Sequence, residues 1–145
     1  DEGVTIVYGS IHGHTAKAAK VMQKMLEDRG QKVEIFDLAR DDMAEAIECA
    51  YRYDKLVIAT VTYDAGVFPV VEDFVYHLKL KNYQKRTVGI IQNGSWGPVA
   101  GKKVKESLET LKDIKIVDPM VTIRSALKEG NLTAMEALAD ALVAK

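Results

Sequence analysis

The stretch Val4-Thr5-Ile6-Val7-Tyr8-Gly9-Ser10-Ile11-His12-Gly13-His14-Thr15 decides how the rest of the chain is read. Its first five residues form a β-branched, apolar run that predicts a strand, and Gly9-Ser10 supplies a turn. Beyond the turn the period changes. From Thr15 to Arg29 apolar residues recur at Ala18, Val21, Met22, Met25 and Leu26, which predicts an amphipathic helix stopped at Gly30. A buried strand feeding a helix through a short glycine-containing loop is how parallel α/β sheets begin.

The alternation continues outward from this unit. Val33-Glu34-Ile35-Phe36 predicts a short second strand, and Met43 to Tyr53 a helix with Met43, Ile47 and Ala50 facing inward. Leu56-Val57-Ile58-Ala59 predicts a fully buried third strand, and Pro69 to Leu80 a helix with proline at its N-terminus. Thr87 to Gln92 is the fourth strand, Val99 to Leu111 the fourth helix, Ile114 to Ile123 an extended fifth segment interrupted by Pro119, and Leu132 to Val143 a closing helix. Apolar strands without clean alternation are covered on both faces, and strands joined by helices pair in parallel. The expected fold is α/β, a doubly wound five-stranded parallel sheet in three layers, α/β/α. With 145 residues and no repeat or linker, one domain spanning 1–145 is expected.

Composition narrows the function. Twenty Lys and Arg against 21 Asp and Glu leave a formal net charge of −1, which gives no field to attract nucleic acid or an anionic membrane. No apolar stretch approaches the length of a membrane span. The lone Cys49 excludes an internal disulfide and any cysteine-ligated cluster, which suits a reducing compartment, and the cytoplasm is the expected location. The chain begins at Asp1 without a methionine, which suggests processing, a scar left by expression, or excision from a longer polypeptide.

In doubly wound folds ligands sit beyond the carboxyl ends of the strands, where strand order reverses. The loops at issue are therefore Gly9 to Thr15, Thr60 to Phe68 and Asn93 to Pro98. The first opens into a helix whose free N–H groups and positive dipole end favour an anion, and Ser10 and Thr15 add hydroxyls. It is not a Walker A loop, because His14 stands where the lysine belongs. Nor is it a dinucleotide fingerprint, since Gly9 and Gly13 are separated by three residues and no acidic residue ends the second strand at Phe36, with Asp37 just beyond. A plain Ser/Thr helix cap is the simpler alternative.

Ser10-Ile11-His12-Gly13-His14-Thr15 resembles the phosphate loop of flavodoxins, a hydroxyl residue, any residue, usually Thr, then Gly-Asn-Thr, with His12 and His14 as departures. Thr60-Val61-Thr62-Tyr63-Asp64-Ala65-Gly66-Val67-Phe68-Pro69 is similar to the run Ser-Pro-Thr-Leu-Asn-Asn-Gly-Met-Phe-Pro of the flavodoxin-like domain in flavodiiron proteins (A-type flavoproteins). Asp64-Ala65 replaces the Asn pair. Gln92-Asn93-Gly94-Ser95-Trp96-Gly97-Pro98 resembles that family's Gly-Ser-Tyr-Gly-Trp, with Trp96 in the Tyr place and Pro98 where Trp is usual. The resemblance implies a short-chain, flavodoxin-like domain holding FMN and cycling it between redox states with a protein redox partner. It implies cofactor contacts from Ser10, Ile11, His12, Gly13, His14 and Thr15 to the phosphate. For the ring it implies Thr60, Val61, Thr62, Tyr63, Asp64 and Gly66 in the second loop, and Asn93, Gly94, Ser95, Trp96 and Gly97 in the third. A glycine lets a backbone carbonyl approach the ring's N5, and a flat aromatic such as Trp96 suits stacking. No catalytic residue and no metal site belong to this reading.

Other candidates carry less. His12 and His14 lack the carboxylate or thiolate that would complete a metal site, and His77 reads as a surface residue. Cys49 lies beside the apolar stripe of its helix with no basic or histidine neighbour to activate it, so packing is its expected role. Lys102, Lys103 and Lys105 form a solvated helix face bordering the third loop, available to an acidic partner. Three rivals remain: a flavin-dependent NAD(P)H or quinone reductase of the same fold, one module of a larger flavodiiron-type oxidoreductase, and a cofactor-free interaction domain. A receiver domain is disfavoured, because Ala59-Thr60 stands where a phosphoacceptor Asp would end the third strand.

Overall fold

Alternate residues of three neighbouring strands point into two different apolar layers, and this places the sheet in the middle of the molecule. The computed structural model describes residues 2–9, 14–63, 66–67, 69–93, 100–123 and 129–144. Among these the chain runs β1 (Val4–Tyr8), α1 (His14–Asp28), β2 (Val33–Asp37), α2 (Met43–Arg52), β3 (Lys55–Tyr63), β4 (Gly66–Val67), α3 (Pro69–Leu80), β5 (Arg86–Asn93), α4 (Ala100–Glu109), β6 (Ile114–Ile116), β7 (Val121–Ile123) and α5 (Glu129–Val143). The sheet order is β2-β1-β3-β5-β6, with β7 pairing β5 beyond β6 and the short β4 folded back antiparallel on β3. Apart from β4 the pairings are parallel. The expected five-position, doubly wound parallel sheet is therefore present. Its fifth position is shared by β6 and β7, which flank a cis Asp118-Pro119 bond, as the interruption at Pro119 foreshadowed.

One layer holds Ile6, Val57, Ala59, Ile91 and Val121 of the strands with Ala18, Met22 and Leu26 of α1 and Leu138 and Leu142 of α5. The other holds Val7, Leu56, Ile58, Val88 and Ile90 with Ile47 of α2, Phe74 and Leu78 of α3, and Val104 and Leu108 of α4. Fully removing an aliphatic side chain of this size from water contributes about 1.5–3 kcal/mol, so each layer supplies much of the driving force for closing the sheet. Close approach matters at Gly89. A Cβ there would lie 3.1 Å from Leu138 Cδ1, so the missing side chain lets α5 settle onto β5.

Several boundaries differ from expectation. β2 extends one residue further, so an acidic residue, Asp37, does end the second strand, paired with Tyr8. β3 continues past Ala59 to Tyr63, because Thr60, Val61, Thr62 and Tyr63 are β-branched or aromatic and keep strand preference where the apolar run stops. The stretch expected to be a loop from Thr60 is thus strand at first. α5 starts at Glu129, its polar first turn carrying no apolar signal. α2 is capped by Asp42, whose carboxylate accepts from Ala44 N at 2.9 Å. Among the described residues no helix is long and apolar enough to cross a membrane.

Candidate functional site

The carboxyl edge of the sheet is built in register. Asp37, Tyr8, Ala59, Ile91 and Val121 lie side by side on β2, β1, β3, β5 and β7, followed one position further by Thr60, Gln92 and Thr122. From β1 the chain moves to β2 on one side and β3 on the other, so strand order reverses between β1 and β3. That crevice is where folds of this kind, flavodoxins included, place their ligand. Gly9 N donates to Ala59 O at 3.2 Å, tying the root of the first loop to the strand that carries the second.

At the first loop, α1 opens at His14 and buries Thr15, with 2 % exposure, in its first turn. That turn holds no acidic residue, which favours an anion at the dipole's positive end. Ser10, Ile11, His12 and Gly13 lie outside the described residues, as does the side chain of His14.

The second loop is rooted in β3. Thr60 is fully buried, its hydroxyl 3.4 Å from Val61 O, and Val61 is half-buried. Thr62 and Tyr63 pair with Val67 and Gly66, making a β-hairpin that turns the chain back before Pro69 starts α3. Asp64 lies outside the described residues. At the third loop Asn93 is the last residue of β5, buried and opposite Val61 and Ile123; Gly94, Ser95, Trp96 and Gly97 lie outside the described residues.

One residue at this edge, the first of the third-loop run, was not among the site residues expected from the sequence. Gln92 is buried, its Oε1 accepting from Gly101 N of α4 at 2.9 Å and its Nε2 donating to Thr122 Oγ1 of β7 at 2.9 Å. The available signal was a lone amide closing the apolar run Val88-Gly89-Ile90-Ile91.

Asp37, the acidic strand end, is turned to local use. Its Oδ1 accepts from Ala39 N at 2.9 Å and its own N–H donates to Asp41 Oδ2 at 2.7 Å, so this carboxylate closes its own turn. Burial, reinforced by Asp37 and Asp41, raises the pKa of the Tyr8 phenol beside it.

Cys49 is buried beside the apolar stripe of α2, with Sγ 3.1 Å from Thr5 Oγ1 and 3.3 Å from Glu34 Oε2. Arg52 is a basic neighbour that the sequence reading did not anticipate. Burial nonetheless dominates and pushes the thiol up to about 11, so it is protonated and inert at neutral pH. His77 is half-exposed on α3 with Nδ1 2.8 Å from Asp73 O. Among the described residues no three His, Cys, Asp or Glu side chains gather as a metal site.

Fold and edge together define a doubly wound α/β protein that can hold a phosphate-bearing cofactor across its switch point. The donor set fits FMN: an acid-free helix N-terminus and a buried hydroxyl suit the phosphate, and strand-end backbone suits a planar heteroaromatic ring. The flavodoxin family model matches residues 6–137, and the chain belongs to the flavodoxin family.

The coenzyme F420H2 oxidase of Methanothermobacter marburgensis is 28 % identical over 102 residues, 70 % of this chain and 25 % of that protein. Rubredoxin oxygen:oxidoreductase from Desulfovibrio gigas superposes with a TM-score of 0.88 at 17 % identity, over 97 % of this chain and 35 % of that one. Oxidised flavodoxin 1 from Bacillus cereus does so with 0.84 at 13 % identity, over 98 % and 97 % of the two chains. The chain thus spans about a quarter of the curated relative it matches, and nearly the whole of a free flavodoxin.

Proposed function

We infer that this chain holds one FMN non-covalently and passes electrons to a protein partner. FMN and electron transfer come with membership of the flavodoxin family, whose members act with redox partner proteins. The observation that carries the reading is the edge itself: three loop roots on adjacent strands at the switch point, beside an acid-free helix N-terminus.

In this reading backbone N–H groups and hydroxyls from Ser10 to Thr15, with the His12 and His14 imidazoles, bind the phosphate. Thr60, Val61, Thr62, Tyr63, Asp64 and Gly66 line one side of the ring, and Asn93, Gly94, Ser95, Trp96 and Gly97 the other. Bound FMN supplies a ring that takes up one or two electrons. The chain's part is to orient that ring, shield it from water and present an edge to the partner.

The partner is either a separate protein or another domain of a longer polypeptide, a reading supported by the chain's covering only 25 % and 35 % of the oxidase and the oxidoreductase. Residues 1–145 then act as one flavin-binding unit. The lone, buried Cys49 suits a reducing compartment such as the cytoplasm. Purified protein mixed with FMN should retain one equivalent through gel filtration and show flavin bands in the blue and near ultraviolet. A colourless protein would overturn the reading, and rapid NADPH oxidation by the isolated holoprotein would favour a reductase.

A further inference from the structure

Gln92 is a polar side chain where its strand neighbours Ile90 and Ile91 are apolar, and it is 7 % exposed. Burying an amide costs several kcal/mol unless it is bonded, so packing alone would favour another aliphatic residue. Both ends of the amide are used across elements. Oε1 takes the Gly101 N–H, which lies in the first turn of α4, where backbone N–H groups lack intrahelical acceptors. Nε2 reaches Thr122 on β7, and the Thr122 carbonyl in turn accepts from Asn131 Nδ2 of α5 at 3.2 Å.

Four elements are thus joined at the carboxyl edge: β5, α4, β7 and α5. Gly101 completes the fit, because a Cβ there would lie 2.8 Å from Gln92 Oε1 and 2.7 Å from Met120 Sδ. Residues 94–99 run between Asn93, adjacent to Gln92, and Ala100, adjacent to Gly101. The side chain that leaves the strand one residue before this loop therefore also holds the helix one residue after it begins.

We propose that Gln92 is a positioning residue for the flavin ring: its bonds to Gly101 and Thr122 set the separation and orientation of the two roots of the third loop. The inference rests on the reading of that loop as a ring-binding loop. A residue acting through this loop affects the ring end of the cofactor and leaves the phosphate end, bound at α1, alone. A loss of general stability would also weaken FMN and riboflavin alike, but it would leave the quenching of Trp96 at saturating flavin unchanged, and that result would overturn the proposal.

The test uses Gln92→Met, which keeps length and removes both bonds, and Thr122→Val, which removes one. Dissociation constants for FMN and riboflavin are measured together with the quenching of Trp96 emission at saturating flavin. Gln92→Met should weaken FMN and riboflavin by the same factor, about tenfold, as expected for lost buried hydrogen bonds, and should reduce the quenching that remains at saturation. Thr122→Val should act in the same direction by about threefold, and it carries the test if Gln92→Met does not fold. Unchanged affinities and quenching in the variants, or a loss confined to FMN, would overturn the proposal. Wild-type protein whose Trp96 emission ignores bound FMN would instead fail the reading of the third loop itself, whatever Gln92 does.

Discussion

His12 and His14 put two titratable groups where the flavodoxin loop pattern mostly has neutral ones, and no Lys or Arg lies between Gly9 and Thr15. If these imidazoles help to hold the phosphate, the nearby dianion favours their protonated forms and raises their pKa in the complex above the usual value near 6.5. A raised pKa in the bound state means that binding takes up protons. FMN affinity should then increase as pH falls from about 8 toward 6, until phosphate protonation near pH 6 offsets the gain. Titrations with riboflavin should show little slope. A slope surviving in the His12→Asn, His14→Asn double variant would assign the effect to other groups.

At the scale of elements, the approach of α5 to β5 depends on Gly89. In Gly89→Ala the new methyl would meet Leu138 Cδ1 at 3.1 Å and the Leu142 methyls at 3.3 Å, so these two leucine side chains, or α5 with them, must give by a few tenths of an ångström. Overpacking of this kind typically costs about 1–3 kcal/mol, and urea unfolding should show a lower midpoint with an unchanged slope. A midpoint equal to wild type would mean that the two leucines repack freely.

Elements whose signal is periodic were legible in the sequence. α1 and α3 carry apolar residues at helical spacing, and the centres of β1, β3 and β5 are unbroken apolar runs. What could not be read were the places where polar residues do structural work. Asp37 looks like a turn residue yet pairs with Tyr8 in the sheet, and Thr60 to Tyr63 look like a loop yet extend β3. The roots of the candidate site were marked in the sequence by glycines and hydroxyls. Gln92 was not, because its two partners, Gly101 and Thr122, are distant in sequence and only the crossing of α4 and β7 brings them together.

The whole molecule has an alkaline limit written into its core. Burial raises the pKa of Cys49 from 9.0 to about 11, and burial likewise raises Tyr83, Tyr51 and Tyr8 above 10.0. Each raised value means that the fold favours the protonated form while the unfolded chain ionises first. The associated stability is complete below pH 9 and is lost as pH climbs through the folded values. Urea midpoints should therefore hold level to about pH 9 and then fall. Cys49→Ala should remove the part of the fall that sets in between 9.0 and about 11. A profile that declines identically in the variant would place the whole effect on the tyrosines.

The division of the sheet's fifth position into β6 and β7 also bears on how copies of this chain meet in a crowded solution. A parallel sheet has two rims, and an unbroken rim of free backbone groups invites another strand to add to it. Here one rim is β2, five residues long and ending in Asp37, and the other is two three-residue pieces separated by a segment containing a proline, which has no N–H to donate. Neither rim offers a long, flat apolar template, and on the far rim the interruption that lets β7 reach Gln92 also leaves a second copy only three-residue pieces to pair with.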